Sequence, residues 1–299
     1  MHLTVGIFGD QEVAKGLGKK GTTNDIAMYN HASSDGVFTY VCPNSEKIQP
    51  LLQALNMTDV PVLVARGLTK ETGEIIIAMN EMNFGKGFIV TGIREDLLPL
   101  IKGTSLERFE IVDESGLRAA LMEVKVERKG NPLMIPVDNF FNVKGIGAVI
   151  LGIIRSGKIS LHDKVLVEPL DREVIVKGIQ SQDNDIKEAA AGMRVGLNLK
   201  GIEADELKRG FIISREKMEK SHEITVKFTG NKFFRQELKS GMNVFLSVGL
   251  QVISCAVKAT GSELSLEANQ KVAYSKGQRC IIASQNEQMP RIMGSGTII

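Results

Sequence analysis

The sequence predicts a multidomain fold of the α/β plus all-β class, in which a reduced α/β domain precedes two antiparallel β-barrels. In residues 1–130, short apolar strands alternate with helical segments, which is typical of an α/β domain with a mostly parallel sheet. From residue 131 onward, apolar residues recur at every second position in short runs separated by turns, which is typical of closed antiparallel barrels. A chain of 299 residues can form two or three domains, and we place them at residues 1–130, 131–215 and 216–299.

The first domain contains five candidate strands and four candidate helices. We predict strands at residues 2–8, 37–41, 60–65, 87–90 and 109–112, and helices at residues 45–56, 72–82, 95–102 and 114–129. Ile48, Leu51 and Leu55 share one helical face, and Ser45 is the candidate cap of that helix. Residues 16–23, GLGKKGTT, are expected to form a flexible basic loop.

The rest of the chain follows the two-residue period of half-buried strands. In the first barrel, Leu133, Ile135 and Val137 alternate with other residues, and glycines at 145, 147 and 157 mark turns. In the second barrel we predict strands at residues 222–229, 244–248, 252–257, 263–266, 279–283 and 291–298.

Bulk composition excludes several classes of protein. The formal net charge is +2, so any RNA-binding surface has to be a local patch. The three cysteines and four histidines are scattered without ligand spacing, so we predict neither a metal site nor a catalytic histidine. Unpatterned cysteines suit a reducing compartment, and apolar runs stay well short of the roughly 20 residues that a membrane span needs. We therefore expect a cytoplasmic protein with neither membrane nor DNA as a partner.

Several short blocks of the first barrel, taken in order, carry a family resemblance. They are PVDNFFN at 136–142, GIGAVILG at 145–152, RSGK at 155–158, KGIQ at 177–180, AGMRVGL at 191–197 and LKRGF at 207–211. With them, the segment 131–214 resembles the second domain of translational GTPases of the elongation factor Tu and SelB group.

The resemblance extends to both flanks. KGTTNDI at 20–26 is similar to the end of the first switch region in SelB-like factors, and LTKETGE at 68–74 and GKGFIV at 85–90 are similar to the same factors. VGLQ at 248–251 and RIMGSGTI at 291–298 resemble strands of their third domain. The combination is most similar to an archaeal SelB-like subgroup with shortened nucleotide domains, and it implies a reduced P-loop-GTPase-like domain before the two barrels.

The resemblance implies a site for GTP and Mg²⁺, but the motifs that would form it are missing. A phosphate loop needs G-x-x-x-x-G-K-[ST]; counted from Gly9, Ala14 stands at the second glycine and Gly16 at the hydroxyl residue. YVCP at 40–43 stands where D-x-x-G is expected. TGIRED at 91–96 stands where N-K-x-D is expected, and its Asp96 is better explained as a first-turn acid of a helix.

We therefore expect GTP binding and hydrolysis to be weakened or lost, with no catalytic residue. One alternative is a functional GTP-binding elongation factor with a non-standard loop that delivers an aminoacyl-tRNA. In that protein Lys15 or Lys19 and Thr22 or Thr23 would surround GTP and Mg²⁺. Another alternative is an interaction scaffold for a protein partner in translation.

The resemblance also implies that the first barrel helps to hold the 3′ end of a tRNA, so we expect tRNA or the ribosome as partner. Gln180 matches a polar position near the terminal adenosine, and its amide could hydrogen-bond a base edge; an ordinary outward strand residue is the alternative. Lys144 and Arg194 lie in neighbouring matched segments. For Phe141, packing in the core is the preferred interpretation.

The second barrel offers one basic aromatic loop, NKFFR at 231–235, with Lys239 nearby. Lys232 and Arg235 could contact the phosphate backbone of tRNA. The alternative is a solvated loop whose two phenylalanines are tucked into the barrel.

Overall fold

The computed structural model describes residues 1–34, 36–128, 130–234 and 236–299. Over these ranges, an α/β domain is followed by two closed antiparallel barrels of six strands each. The predicted fold class is confirmed.

The α/β domain is built on one sheet, which in the described residues has the strand order β2-β3-β4-β1-β5-β6-β7. Strands β4, β1, β5, β6 and β7 run parallel, and β3 and β2 add an antiparallel edge. The strands are β1 (His2–Phe8), β2 (Lys19–Thr23), β3 (Ile26–Ser33), β4 (Gly36–Pro43), β5 (Val60–Ala65), β6 (Phe88–Thr91) and β7 (Glu110–Ile111). The helices are α1 (Glu12–Leu17), α2 (Ile48–Met57), α3 (Lys70–Met82), α4 (Arg94–Ile101) and α5 (Leu117–Met122), with a 3₁₀ turn at Ser105–Arg108.

The predicted loop at 16–23 is wrong. Helix α1 continues to Leu17, and Lys19–Thr23 forms strand β2, which pairs antiparallel with β3. Strand β2 carries lysines, glycine and threonines and is mostly exposed, so it lacks the apolar alternation that marks a half-buried strand. Its lysines are suited to the open edge of a sheet.

Two helix boundaries also differ from the prediction. Ser45 is not the cap of α2: the helix begins at Ile48, with Lys47 in the cap position, and the Ser45 hydroxyl accepts the N–H of Lys47. Helix α5 ends at Met122, so most of the predicted helix at 114–129 is absent, and its last residue lies outside the described residues.

The first barrel has the strand order β11-β16-β8-β9-β15-β12 in the described part of the chain, and pairing of β11 with β12 closes it. Its strands are β8 (Met134–Val143), β9 (Gly147–Ile153), β11 (Lys164–Glu168), β12 (Arg172–Ser181), β15 (Arg194–Lys200) and β16 (Ile212–Ser214). Short strands β10 (Lys158–Ser160), β13 (Asn184–Asp185) and β14 (Glu188–Ala190) and a 3₁₀ turn at Ala204–Glu206 complete it.

The second barrel closes in the order β17-β20-β19-β18-β21-β22. Its strands are β17 (Glu219–Gly230), β18 (Asn243–Val248), β19 (Gln251–Ala259), β20 (Leu264–Tyr274), β21 (Arg279–Ser284) and β22 (Ile292–Ile298). Residues of β19, β21 and β22 and their loops join the apolar cluster formed by α2 and α3, so this barrel packs on the helical face of the α/β domain.

A cluster of charges ties the α/β domain to the first barrel. Asp59, at the start of β5 and 2% exposed in its side chain, pairs with Arg128 at 2.6 Å and with Arg155 at 3.1 Å. Arg155 also donates to the Met57 carbonyl and Arg128 to the His2 carbonyl.

Among helices of the described ranges, none is long and apolar enough to cross a membrane.

Burial predicts inert thiols. It raises the pKa of Cys42, Cys255 and Cys280 to about 12, so almost no reactive thiolate exists at neutral pH. We expect negligible labelling of the native protein by a thiol-specific disulfide reagent, and three labelled thiols per chain after unfolding in guanidinium. Fast labelling of the native protein at neutral pH would contradict this packing.

Candidate functional site

Gly9 follows β1, at the place where a phosphate loop would begin. Its φ is +112°, and a Cβ atom there would lie 2.1 Å from the Val64 carbonyl oxygen of β5. Glycine is therefore required because the chain crosses the end of β5 at backbone contact distance. Close packing against β5 accounts for this glycine.

Ion pairs occupy the carboxyl edge of the sheet beside Gly9. Arg66, after β5, pairs with Asp10 at 3.3 Å and also with Glu114. The second oxygen of Asp10 accepts the N–H of Glu12, and Glu12 pairs with Lys15. The Glu12 carboxylate, as hydrogen-bond partner, raises the pKa of Lys15. Three carboxylates thus lie at this edge, where they would repel the phosphates of a nucleotide.

The residues predicted to surround a nucleotide lie on different elements. Lys15 is exposed on α1, whereas Lys19, Thr22 and Thr23 lie on β2 at the outer edge of the sheet. Two strands separate β2 from β1, which places them about 14 Å apart at ordinary strand spacing. Asp96 lies in the first turn of α4, as the sequence indicates.

A cleft of about 360 Å³ opens at the carboxyl ends of β1 and β4. The second barrel closes one side of it with Met289 and Arg291. Arg291 is paired there with the buried carboxylate of Glu74, on α3, through its guanidinium and its own backbone N–H. The positive charge of Arg291 is therefore already neutralised by Glu74.

A second opening, the barrel groove, lies on the outer face of the first barrel and measures about 720 Å³. It is lined by Phe141, Val143, Ile146, Val149, Leu151, Leu161, Lys177, Gly178, Ile179, Gln180, Asp185, Ile186, Lys187, Gly196 and Asn198. Two apolar side chains stand out, since Phe141 is 41% exposed and Ile146 is 55% exposed. Exposed apolar residues beside lysines and amides are suited to a ligand with both flat apolar and charged parts.

The expectation that Phe141 packs in the core is wrong. A register shift between Val137 and Asn139 interrupts the alternation of β8, so Asp138 is buried and Phe141 faces the groove. A one-residue slip moves every following side chain to the other face of a strand.

Gln180 lies on β12 at the groove and is exposed. Its amide nitrogen donates to the Asp185 carboxylate at 2.8 Å, which orients the side chain. Lys144 is exposed in the turn between β8 and β9. The structure thus brings Gln180 to the groove and leaves Lys144 in the turn next to groove-lining Val143.

Arg194 is committed to a structural ion pair. Its guanidinium donates to both oxygens of Asp138, at 2.9 and 3.3 Å. The Asp138 side chain is 2% exposed and the Arg194 side chain 14%. A buried carboxylate requires such a partner.

In the second barrel, Lys232 lies with its ammonium 4.9 Å from the centre of the Phe233 ring, a cation–π contact. Phe233 is 46% exposed, and Phe234 packs partly buried against the barrel core. One of the two phenylalanines is therefore tucked in and the other is not. Arg235, the remaining predicted RNA contact, lies outside the described residues.

In the described ranges, no group of three or more His, Cys, Asp or Glu side chains is placed to hold a metal ion.

Comparison with known proteins agrees with this architecture. The family model for elongation factor Tu domain 2 matches residues 147–214. The uncharacterized protein MJ0325 of Methanocaldococcus jannaschii is 38% identical to the chain, over 99% of each sequence. The selenocysteine-specific elongation factor of that organism is 27% identical over 80% of the chain and 58% of its own length, so the chain spans less than two thirds of this relative.

The chain belongs to the elongation factor Tu and SelB group of the translational GTPase superfamily. Its fold is similar to that of the SelB translation elongation factor of Methanococcus maripaludis bound to a GTP analogue, with a TM-score of 0.85 and 23% identity. That match covers 99% of the chain and 78% of the SelB structure. A bacterial selenocysteine-specific elongation factor gives a TM-score of 0.84 at 20% identity, over 99% of the chain and 58% of the other. At these identities, the structures show the fold alone.

In this elongation factor-like chain, Ile146, Lys177 and Lys187 line the groove although the sequence pattern did not predict them as site residues. A signal for Ile146 was present. It stands between Gly145 and Gly147, both with positive φ, and an apolar residue at the apex of such a turn has no core to enter. The lysines carried no such signal, because each is an ordinary exposed residue in the sequence pattern, Lys177 on β12 and Lys187 after β13.

Arg194→Ala leaves the Asp138 carboxylate buried without its partner. We expect the free energy of unfolding to fall by about 3–5 kcal/mol, measured by urea denaturation. Lys144→Ala, an exposed change on the same barrel, should alter it by no more than about 0.5 kcal/mol. A loss below about 1 kcal/mol for Arg194→Ala would mean that the pair is dispensable and that Arg194 is free for RNA.

Proposed function

We propose that the chain is an elongation factor-like protein that binds the 3′ end of tRNA, alone or on the ribosome, in the barrel groove, and that GTP binding and hydrolysis are weakened or lost. The observation that carries the proposal is the groove itself, an exposed aromatic and aliphatic surface with Gln180 on its wall, in the domain that matches elongation factor Tu domain 2.

The groove offers the three kinds of contact that a single-stranded RNA end uses. Phe141 presents a ring for base stacking. Gln180 can donate to or accept from a base edge, since its amide carries both functions. Lys177 and Lys187 are exposed on the wall, and with Lys144 they supply charge for backbone phosphates. Among the ion pairs of the described residues, none involves these three lysines, whereas Arg194 neutralises a buried carboxylate.

The loss of GTP binding is supported by the carboxyl edge of the sheet. Asp10, Glu12 and Glu114 surround Arg66 and Lys15 there, and each cation already has a carboxylate partner. A triphosphate would have to break these pairs and approach the carboxylates, with no hydroxyl residue after Lys15 to hold magnesium.

The direct test is fluorescence anisotropy with labelled tRNA at low salt, where phosphate contacts are strongest. We expect saturable binding, and we expect log Kd to increase linearly with the logarithm of the salt concentration. Removal of the single-stranded 3′ end of the tRNA should weaken binding by about tenfold or more, because stacking contributes about 1–3 kcal/mol per base. Absence of binding to any tRNA at low salt would reject the proposal.

Phe141→Ala removes the stacking ring of the groove. We expect the Kd for intact tRNA to rise about 5- to 150-fold, and the Kd for tRNA without its 3′ end to stay unchanged. The matched control is Leu170→Ala on the same barrel, since Leu170 is 42% exposed but lies at the turn between β11 and β12. Base stacking in the groove would be contradicted if Phe141→Ala and Leu170→Ala raised the Kd equally. It would also be contradicted if Phe141→Ala raised the Kd equally for tRNA with and without its 3′ end.

Lys177→Ala and Lys187→Ala test the phosphate contacts. Each should lower the slope of log Kd against log salt by about 1, since each contact releases about one counterion. An unchanged slope in both variants would place the RNA backbone elsewhere on the protein.

A further inference from the structure

The edge of the α/β sheet opposite to β2 is formed by the short strand β7. Among the described residues, β7 is the last strand in the order and pairs only with β6. The N–H groups of Glu110 and Val112 donate to backbone carbonyls of β6. Backbone groups of successive residues point to opposite sides of a strand, so the N–H and C=O of Ile111 face the open edge. This edge therefore offers one residue to which a further strand can bind.

An apolar groove of about 730 Å³, the α4 groove, lies between this edge and helix α4. Its apolar lining residues are Leu98, Pro99, Ile101, Phe109 and Ile111. Leu98 is 44% exposed, and Leu100 follows it, 45% exposed, outside the lining. Single exposed leucines are ordinary on a protein surface, whereas an exposed apolar run beside an apolar groove is typical of a docking site.

The charged residues that line the α4 groove are two bases, Arg94 and Lys102, and two acids, Glu95 and Glu107. All four are exposed, and within the described part of the chain none of them takes part in an ion pair. A strongly basic or strongly acidic partner would meet as many like charges as opposite ones here. A second copy of the same surface is complementary, because in a twofold contact each base of one copy can face an acid of the other.

The open edge suits the same symmetry. Two antiparallel strands related by a twofold axis exchange both of their N–H···O=C bonds at one pair of residues. Ile111 presents both groups to the edge, so Ile111 of one copy can pair with Ile111 of a second copy. This pairing needs no other strand residue, which suits an edge strand of two residues.

We propose that the β7 edge and the α4 groove bind a second copy of the chain, which forms a twofold dimer. Ile111 pairs with its counterpart, Leu98 contacts the α4 groove of the other copy, and the four charges face opposite charges across the axis. The contact consists of one helix and one short strand, which is less than the roughly 800 Å² per partner of a standard interface. The dimer is therefore reversible, with a Kd of about 10–100 µM. The proposal does not depend on RNA binding by the barrel groove.

The first test is sedimentation velocity of the full chain without RNA, from about 1 µM to about 300 µM, a range that brackets the expected Kd. We expect the weight-average sedimentation coefficient to rise with concentration and to fit a monomer–dimer equilibrium. A chain that stays monomeric at the highest concentration would overturn the proposal and leave the α4 groove to a different protein.

Leu98→Asp places a carboxylate inside the contact. We expect the Kd of the dimer to rise about tenfold or more, because the charge would be buried there without a partner. Leu100→Asp is the matched control, a leucine of equal exposure on the same helix outside the groove lining, and it should change the Kd by less than about twofold. Circular dichroism verifies that both variants fold. Equal effects of the two substitutions would reject the α4 groove as the contact.

Charge reversal tests the twofold contact itself. Arg94→Glu with Lys102→Glu gives an acidic groove, and Glu95→Lys with Glu107→Lys gives a basic one. Each double variant alone should dimerise more weakly than the unmodified chain, since like charges face each other across the axis. An equimolar mixture of the two should dimerise with a Kd at least about tenfold lower than either alone.

No gain in affinity on mixing the two double variants would overturn the twofold dimer. Dimerisation of the unmodified chain without any tRNA binding would reject the proposed function and leave the dimer standing.

Discussion

Helix α2 packs between the parallel sheet and the second barrel, and eight of its ten residues are buried. A helix buried on two sides has to satisfy every polar group it carries inward. The Gln53 side-chain amide donates to the Leu250 carbonyl of the second barrel and accepts a hydrogen bond from Arg209 of the first barrel. These two bonds connect helix α2 to both barrels. The burial of α2 thus determines where the two barrels sit, and the barrel groove is presented on a fixed support.

The carboxyl edge of the sheet shows a different use of charge. In a nucleotide-binding domain, cations at this edge face phosphate. Here Arg66 faces Asp10 and Glu114, both in exposed ion pairs that contribute little to stability. Weak surface pairs of this kind do not hold the domain together, but they give each cation a carboxylate partner, which supports the proposed loss of GTP binding. In that proposal, the α/β domain serves as a support for the barrels.

Much of the fold could be predicted from local pattern. Strands β1 and β5 are short apolar runs, and the six strands of the second barrel keep the two-residue period, so these strands were predicted. Strand β2 was missed because Lys19–Thr23 has no apolar face and becomes a strand only by pairing with β3. Phe141 was predicted to pack in the core, but a bulge in β8 reverses the alternation of inward and outward side chains, and no residue type in this strand indicates the bulge.

The site was less predictable, for a physical reason. The missing motifs predicted a degenerate phosphate loop but not the ion pairs at this edge, since Arg66 and its partners Asp10 and Glu114 are 56 and 48 residues apart in sequence. Arg194 was predicted as an RNA contact from the resemblance, and its partner Asp138 could not be deduced without the register of β8. Ion pairs between residues far apart in sequence depend on the tertiary fold, so local sequence pattern does not predict them.

The most direct measurement is a titration of the purified chain with fluorescent GTP and GDP, with and without magnesium. We expect no saturable binding at micromolar concentrations, because the carboxyl edge presents paired cations and three carboxylates. Saturable binding at micromolar or lower concentration, strengthened by magnesium, would contradict the central claim and mean that Lys15 or Lys19 serves a working nucleotide site.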